Sequence, residues 1–316
     1  MYYTIDHITH FRYSEPVSES VTEIRKRPSD EPAQRCLSFK LVTFPRAKLN
    51  EYQDSWGNQV HHFNILQPHK RMEIVAHTLV QLLERNVPTA ADFGPQTWER
   101  LEQKRQQVDL WDYLHPSQFL RFTPPVRQFA EKLGAGKQAI DPFTWLLTIN
   151  QTIYDHFEYM PNTTTVDSHV DEVLANQAGV CQDFSHLMVT ILRYGGIPAR
   201  YVSGYLFHRT EMHDRSAEDA THAWVEAWLP EWGWIGFDPT NNVLVQDRHI
   251  RVAIGRDYAD VPPTRGVFTG HAESELSVSV RVSPAEAPPA VEEPLLTGWA
   301  EQEKLEEWEM QQVQQQ

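Results

Sequence analysis

Cysteine is scarce: only Cys36 and Cys181 occur in 316 residues. Two thiols cannot build a disulfide framework, so the fold must rest on its apolar core. No apolar run reaches the roughly 18 residues that a membrane-spanning helix needs, so no membrane partner is expected. Basic residues are also few: 28 Lys and Arg stand against 43 Asp and Glu, a formal net charge of -15. Nucleic-acid-binding proteins usually carry a basic patch, and no nucleic-acid partner is expected here. Nearly half of the acidic excess lies in Ser283–Gln316, where eight Glu face one Lys, so the body of the chain is only mildly acidic. The opening stretch MYYTIDHITHFRY has neither a basic start nor an apolar centre. No secretory leader is expected from it, and a cytoplasmic location is the expectation. There are no internal repeats. What is present is an ordinary apolar fraction, 41%, in a chain long enough for two structural units.

Patterning divides the chain into five stretches. Residues 1–85 read as a β-rich N-terminal domain: Tyr3, Ile5, Thr9, Phe11 and Tyr13 share one parity, as do Leu37, Phe39, Leu41 and Thr43. Asp54-Ser55-Trp56-Gly57-Asn58 is a turn signal ahead of Val60–Leu66 and predicts a hairpin. Val75–Leu83 fits either strand or short helix, with strand favoured by its neighbours. Residues 86–140 read as a helical connection, with Pro124-Pro125 opening a helix that ends near Gly134. Residues 141–245 change to helix followed by strand. Trp145, Leu146, Ile149, Ile153 and Phe157 recur at helical spacing behind Asp141 as N-cap and Pro142 as first-turn residue. Residues 246–282 are short strands that alternate at Leu276, Val278, Val280 and Val282, and they are expected to return to the N-terminal domain. Residues 283–316 read as an acidic, partly disordered tail.

Cys181 stands at the start of a helix. Behind it, Phe184, Leu187, Met188, Ile191 and Leu192 form one apolar stripe, with Gly179 as a breaker in front and Gly195 as a C-cap. In the first turn, unpaired backbone N–H groups and the helix dipole favour a thiolate. The same N–H groups can hold a developing oxyanion. A lone cysteine is more often a small buried hydrophobe. Cys36, on an expected strand with no acid or imidazole pattern nearby, fits that description and receives no role.

The stretch Thr221–Trp228 alternates like a strand, Leu229–Gly233 reads as a turn, and Trp234–Thr240 reads as the returning strand. A turn centred on Pro230 sets His222 opposite Asp238. A turn centred on Glu231 shifts the pairing by one step but keeps both on one face. A carboxylate beside an imidazole fixes its tautomer and supports its protonated form. Taken singly, such a His is commonly structural, and an Asp before Pro is commonly a turn former. The combination in the order Cys, His, Asp is what points to nucleophilic catalysis. The other histidines, His61-His62, His69 and His77, or His208 and His213, lack HExxH or CxxC spacing, so no metal site is expected.

The stretches GVCQDFSHLMVTILRYGGIPARYVSGYL and HAWVEAWLPEWGWIGFDPTNN resemble the transglutaminase-like core, a branch of the papain-like superfamily. The N-terminal stretch with DSWGN is similar to the N-terminal region of bacterial transglutaminase-like proteins, and GRDYADVPPTRGVF is similar to the segment after the core there. The resemblance implies an α+β fold: a papain-like core with the nucleophile helix packed on an antiparallel sheet, plus a β-sandwich-like N-terminal domain completed by C-terminal strands. It implies a triad of Cys181, His222 and Asp238, a thioester acyl-enzyme, no cofactor, and a peptide or protein amide as substrate. Its known activities include amide hydrolysis and acyl transfer to amines, and a binding protein that kept the fold without activity is the third possibility. Bacterial members are described as cysteine proteases. Val180 and Gln182 replace the Gln and Trp that flank the cysteine of animal transglutaminases, which tilts the reading away from protein crosslinking, and no calcium-loop pattern is present. Tyr159, Gln182, Trp224, Asp257 and Tyr258 are candidates for lining the cleft or serving the oxyanion, although packing or capping is the commoner role for Tyr159, Asp257 and Tyr258, and core packing for Trp224. The loop Phe207–Ala220 is a candidate for shaping its mouth.

Overall fold

The computed structural model describes residues 1–287 apart from 107, 162, 210 and 212. Six strands come first: β1 (Tyr2–Val17), β2 (Glu19–Ile24), β3 (Gln34–Phe44), β4 (Asn50–Gln53), β5 (Gln59–Ile65) and β6 (His69–Leu82). Helices α1 (Gln96–Lys104), α2 (Val108–Trp111) and α3 (Pro124–Lys132) fill the connection, and α4 (Pro142–His156) follows. Next come β7 (Glu158–Tyr159), α5 (Val170–Asn176), β8 (Ala178–Gly179), α6 (Cys181–Tyr194), β9 (Ala199–Leu206), β10 (His222–Leu229) and β11 (Gly233–Asp238). The last strands are β12 (Val243–Leu244), β13 (His249–Gly255), β14 (Thr264–Thr269) and β15 (Ser274–Ala285).

The alternation in residues 1–85 produces a two-sheet arrangement. One sheet has the order β15-β1-β6-β3 and the other β14-β2-β5-β4, all antiparallel. Tyr13 and Val17 of β1 pack with Ile24, Phe63, Ile65, Met72 and Ile74 between the sheets. Residues 75–82 are strand, not helix, because Ile74, Ala76, Val80 and Leu82 are buried on one parity rather than at helical spacing, and Leu83 lies just past the strand's end. The DSWGN turn closes the β4–β5 hairpin: Asp54 Oδ1 accepts the N–H of Trp56 and of Asn58, and Gly57 supplies a φ of +82°. The C-terminal strands β14 and β15 complete one sheet each, so this β domain is discontinuous in sequence.

The core sheet has the order β12-β11-β10-β9-β13. The α6 stripe of Phe184, Leu187, Met188, Ile191 and Leu192 packs on Val225, Ala227, Leu229, Ile235 and Phe237. Asp141 caps α4 as its sequence predicts, its Oδ1 accepting the N–H of Thr144 at 2.9 Å. Beyond the N-terminus of α6, core residues Tyr201, Tyr205, Ala223 and Ile250 pack instead against Tyr3, Ile5, Val80 and Val280. Helix and N-terminal sheet thus share the core sheet between them, and the thiol of Cys181 sits at their boundary. Residues 1–285 form one compact unit.

Two expected boundaries change. The core does not end at 245, because β13 pairs with β9 of the core sheet and not with the N-terminal sheets. The sequence groups residues 249–255 with the alternating strand at 276–282 that follows them, and a local pattern carries no information on which sheet a strand joins. The tail does not begin at 283, since β15 runs to Ala285, and the remainder of the expected tail lies outside the described residues from 288 onward.

A buried charge network ties the two parts together. Glu226 on β10 is 3% exposed. It accepts from Arg200 at 2.5 Å and Arg251 at 3.3 Å, and Arg251 also reaches Glu31, which Arg85 holds from the other side. Burial alone would raise the Glu226 carboxyl, but Arg200 and Arg251 outweigh it and bring it down to about 2. The stabilisation is therefore present above the ordinary glutamate range and is lost as pH falls towards 2. Replacing Glu226 with Gln should cost about 3–5 kcal/mol, because the two guanidinium groups stay buried without their counter-charge. Urea unfolding at pH 7 measures this. A loss below about 1 kcal/mol would refute the claim that the network holds the domains together.

Candidate active site

The first turn of α6 is built by Asp183. Val180 is the N-cap residue and has no side-chain oxygen, so the usual reciprocal cap is only half formed: Asp183 Oδ2 accepts the N–H of Val180 at 2.8 Å. Thr164 Oγ1 donates to the same oxygen at 2.6 Å. Burial raises the Asp183 carboxyl even so. Gly179 is required here, since a Cβ would stand 2.7 Å from Asp183 Oδ2 and 2.8 Å from its Cβ. The short parallel pair β7–β8 sets Tyr159 beside Gly179, one turn of chain from Cys181.

The imidazole and the carboxylate come from the β10–β11 hairpin. Its turn is centred on Glu231: Leu229 pairs with Gly233 and Val225 with Phe237. Glu231 has a φ of +68° and Gly233 one of +72°, which tightens the turn. In this register Asp238 lies one step along from His222 on the same face, and His222 Nε2 stands 2.8 Å from Asp238 Oδ2. Asp238 has no exposed surface. Its Oδ1 accepts from the backbone of Thr240 at 3.0 Å and Asn241 at 3.2 Å, and its Oδ2 accepts from Asn241 Nδ2 at 2.8 Å and His249 Nε2 at 3.1 Å.

These contacts set the charges. For His222, burial acts downward, but the charge and hydrogen bond of Asp238, then the Cys181 thiol, outweigh it and raise the imidazole to about 10. For Asp238, burial acts upward, yet His222 and His249 hold the carboxyl well below its usual range. His249 moves the other way, lowered by burial with Asp238 only partly compensating. The arrangement is a protonated His222 against an ionised Asp238, with a neutral His249 donating from Nε2. The free Nδ1 of His222 is the ring nitrogen left to serve Cys181. Cys36 offers a contrast, because burial pushes its thiol up to about 11.

A cavity of about 430 Å³ opens over Cys181 and His222. Tyr159, Gln182 and Tyr258 line it, together with Tyr201 and Ser203 of β9. Burial raises the Tyr159 phenol to about 12, with the Cys181 charge adding to it. Gln182 Nε2 donates one of its two N–H groups to Val166 O at 3.0 Å. Ala217 and Ala220, from the loop Phe207–Ala220, also line it.

Two candidates are corrected. Asp257 does not face the cavity: it is buried and caps backbone, accepting from Phe119 N and Ala259 N, both at 2.9 Å. Trp224 lies behind the imidazole, packed with Val202, Val245 and His249. Its ring occupies the space over Gly204, where a Cβ would meet it at 2.6 Å. Each of the two takes the capping or packing role that such residues more commonly have, and proximity in sequence to the base or the core's end did not bring it to the cleft.

Sequence reasoning missed His249 and Asp183. His249 sits on the strand assigned to the wrong sheet, and only that strand's pairing with β9 brings it to Asp238. Asp183, an acid at the third helical position, carried a readable signal as an N-terminal cap partner. His222, Asp238 and His249 have ligand atoms within 4.8 Å of one another. The single Asp238 oxygen already hydrogen-bonds both rings, so the cluster is a shared hydrogen bond and not an open cage.

Residues 3–81 match the bacterial transglutaminase-like N-terminal region and residues 127–239 the transglutaminase-like superfamily. An uncharacterized protein of Mycobacterium tuberculosis is 36% identical over 299 residues, covering 90% of this chain and 93% of the relative. One of Mycobacterium leprae is 31% identical over 279 residues, covering 88% and 96%. A protein-glutamine gamma-glutamyltransferase of Pseudomonas aeruginosa is 37% identical over 90 residues, 26% of this chain and 13% of that protein. A solved structure from Cytophaga hutchinsonii, named a "putative cysteine protease", superposes with a TM-score of 0.70 over 92% of this chain and 93% of its own, at 22% identity, which shows a common fold.

The Asp238 carboxylate is what raises His222, so Asp238→Asn should move the imidazole titration down by several pH units. The expected readout is the imidazole NMR signal of His222, which should titrate far above 6.5 in the wild type and at or below 6.5 in the variant. The pair's share of stability is full below the ordinary histidine range and fades as pH rises towards 10. A His222 that titrates near 6.5 in the wild type would contradict this charge assignment.

Proposed function

The chain belongs to the transglutaminase-like superfamily, and from that premise we propose that it is a thiol-dependent amide hydrolase, a cysteine peptidase or amidase working through a Cys181 acyl-enzyme. The observation that carries this reading is the 2.8 Å contact between buried His222 and buried Asp238 beside a thiol at a helix N-terminus. The proton of Cys181 passes to His222, so that the protonated imidazole stands beside a thiolate. The thiolate attacks the carbonyl carbon of the amide, and the backbone N–H groups of the first turn of α6 face the oxygen as it gains charge. As the C–N bond breaks, His222 returns its proton to the leaving nitrogen, and a thioester remains on Cys181. Water, with His222 again as base, cleaves the thioester and frees the thiol. Asp238 stays ionised throughout and holds the ring orientation.

A second reading changes only the acceptor: an amine in place of water makes the protein an acyltransferase. The shared stretch with the gamma-glutamyltransferase favours it. The neighbours of the nucleophile, Val180 and Gln182, lean towards hydrolysis.

In the folded protein, iodoacetamide should modify Cys181 at least about tenfold faster than Cys36, because only Cys181 has a base and a helix dipole to ionise it. His222→Ala should abolish that preference, and Cys181→Ala should lower turnover by about three orders of magnitude or more. Equal alkylation of the two cysteines would sink the enzyme reading. Incubation with a Gln-containing peptide and a labelled amine separates the acceptors: ammonia or cleavage without incorporated label supports hydrolysis, and incorporated label supports transfer.

A further inference from the structure

The cavity over Cys181 has a wall that the proposed chemistry leaves unused. It is made by β15, which pairs with β1 on one side and ends the sheet on the other. In an antiparallel ladder, alternate residues turn both N–H and C=O towards the partner strand, and the residues between turn them away. Val280 donates its N–H outward, to Asp219 O at 2.9 Å. That contact identifies the outward set: Val280, and by parity Val278 and Leu276, which pair with His7, Thr9 and Phe11 of β1. Among the described residues, no backbone group meets Leu276 or Val278 on that open side.

Those same residues face the site. The side chains of Leu276 and Val278 line the cavity that holds Cys181 and His222. They are 54% and 43% exposed, although β15 carries Ser and charged residues at its intervening positions. An apolar, unpaired strand edge invites strand addition, and proteins normally blunt or cover it. At the other end of this edge the chain itself does so, with Asp219 three residues before His222. Where the edge is open, it borders the thiol.

We infer that the substrate is an extended polypeptide segment, which adds as a strand to the β15 edge at Leu276 and Val278 and so presents one of its amide carbonyls to Cys181. The inference rests on Cys181 being an amide-directed nucleophile. It names the substrate class and assigns its recognition to the last strand of the discontinuous β domain, not to the catalytic core. Backbone pairing supplies affinity with little regard to sequence, and the apolar pair selects the side chain that lies over it. A small amide has no repeating backbone to satisfy such an edge.

Val278→Pro tests this directly. It removes one outward N–H and leaves the β1 ladder intact, because that N–H is not part of the ladder. Val278→Thr keeps the N–H and changes only the side chain. The substrate is a pool of mixed-sequence decapeptides read by mass spectrometry. Peptides found to react are then remade with single backbone N-methyl groups. Val278→Pro should lower kcat/KM on peptides about tenfold, the effect of a lost hydrogen bond, and Val278→Thr should lose less. On the wild type, N-methylation should impair reaction at every second position. If Val278→Pro does not fold, as its thermal transition will report, the N-methyl series on the wild type decides. Peptide turnover within twofold of wild type for folded Val278→Pro, or equal tolerance of N-methylation at all positions, overturns the inference. So does a dimer, seen by sedimentation, that Val278→Pro dissociates without loss of peptide turnover, since a second copy would then own the edge. A wild type that ignores every decapeptide yet keeps a fast-alkylating Cys181 overturns the strand-addition inference alone. Loss of fast alkylation overturns the hydrolase reading beneath it.

Discussion

A carboxylate with no access to water costs several kcal/mol to bury unless hydrogen bonds and a counter-charge replace its hydration. Asp238 is in that position, and the site is organised around meeting its needs. Five donors converge on it: His222, His249, the side chain of Asn241, and the backbones of Thr240 and Asn241. Satisfying them constrains three separate pieces of chain. The residues after β11 must turn back over the carboxylate. Strand β13 must lie against β9 in the register that brings in His249. The loop before β10 is drawn in as well, because Asn241 Oδ1 accepts the N–H of Arg215 at 2.8 Å. The orientation of His222 then follows, since Nε2 is committed to Asp238 and Nδ1 is left for the thiol.

His249 has a particular place in that balance. It binds the same Asp238 oxygen as His222, so it competes for charge while it fixes position. A second protonated ring there would draw the carboxylate away from His222. Burial keeps His249 from charging, and it therefore acts as a neutral donor. Glu226 follows the same principle on the same sheet with the opposite purpose. Its charge is matched by two arginines, one of which also reaches Glu31, so it joins the core sheet to the N-terminal domain.

Local patterns made much of this legible. The spacing of Phe184, Leu187, Met188, Ile191 and Leu192 defines a helix with one buried face, and that alone puts Cys181 in a first turn. Hairpin parity places His222 and Asp238 on one face whichever odd turn is used. The β-rich start and the return of the last strands follow from alternation. What stayed hidden depends on contacts between distant segments. The sheet that β13 joins is decided by its pairing with β9, so neither the core's end at Gly255 nor His249 could be read from alternation. Trp224 and Asp257 were misplaced for a related reason: both are buried, and nothing in a local pattern says whether a buried face looks into a cleft or a core. The resemblance to a known family supplied the triad's chemistry, and the geometry of its support came only from the fold.

The topology also explains why the β domain needs to be discontinuous. The core sheet has more apolar surface than α6 can cover, and Tyr201, Tyr205, Ala223 and Ile250 require a second partner. The N-terminal sheet provides it, but β1 and β6 alone would leave the side facing the thiol without a wall. Strand β15 closes that gap, pairing with β1 across nearly the whole chain, from Tyr2 with Ala285 to Tyr13 with Ser274. Such a pairing is entropically slow to form, since its ends are distant in sequence. The cleft is completed by β15, a strand that lies after the core in sequence and pairs back to the first strand. The Cys181 thiol thus has its apolar flank from the far end of the sequence, and the topology couples the wall of the cavity to completion of the β domain.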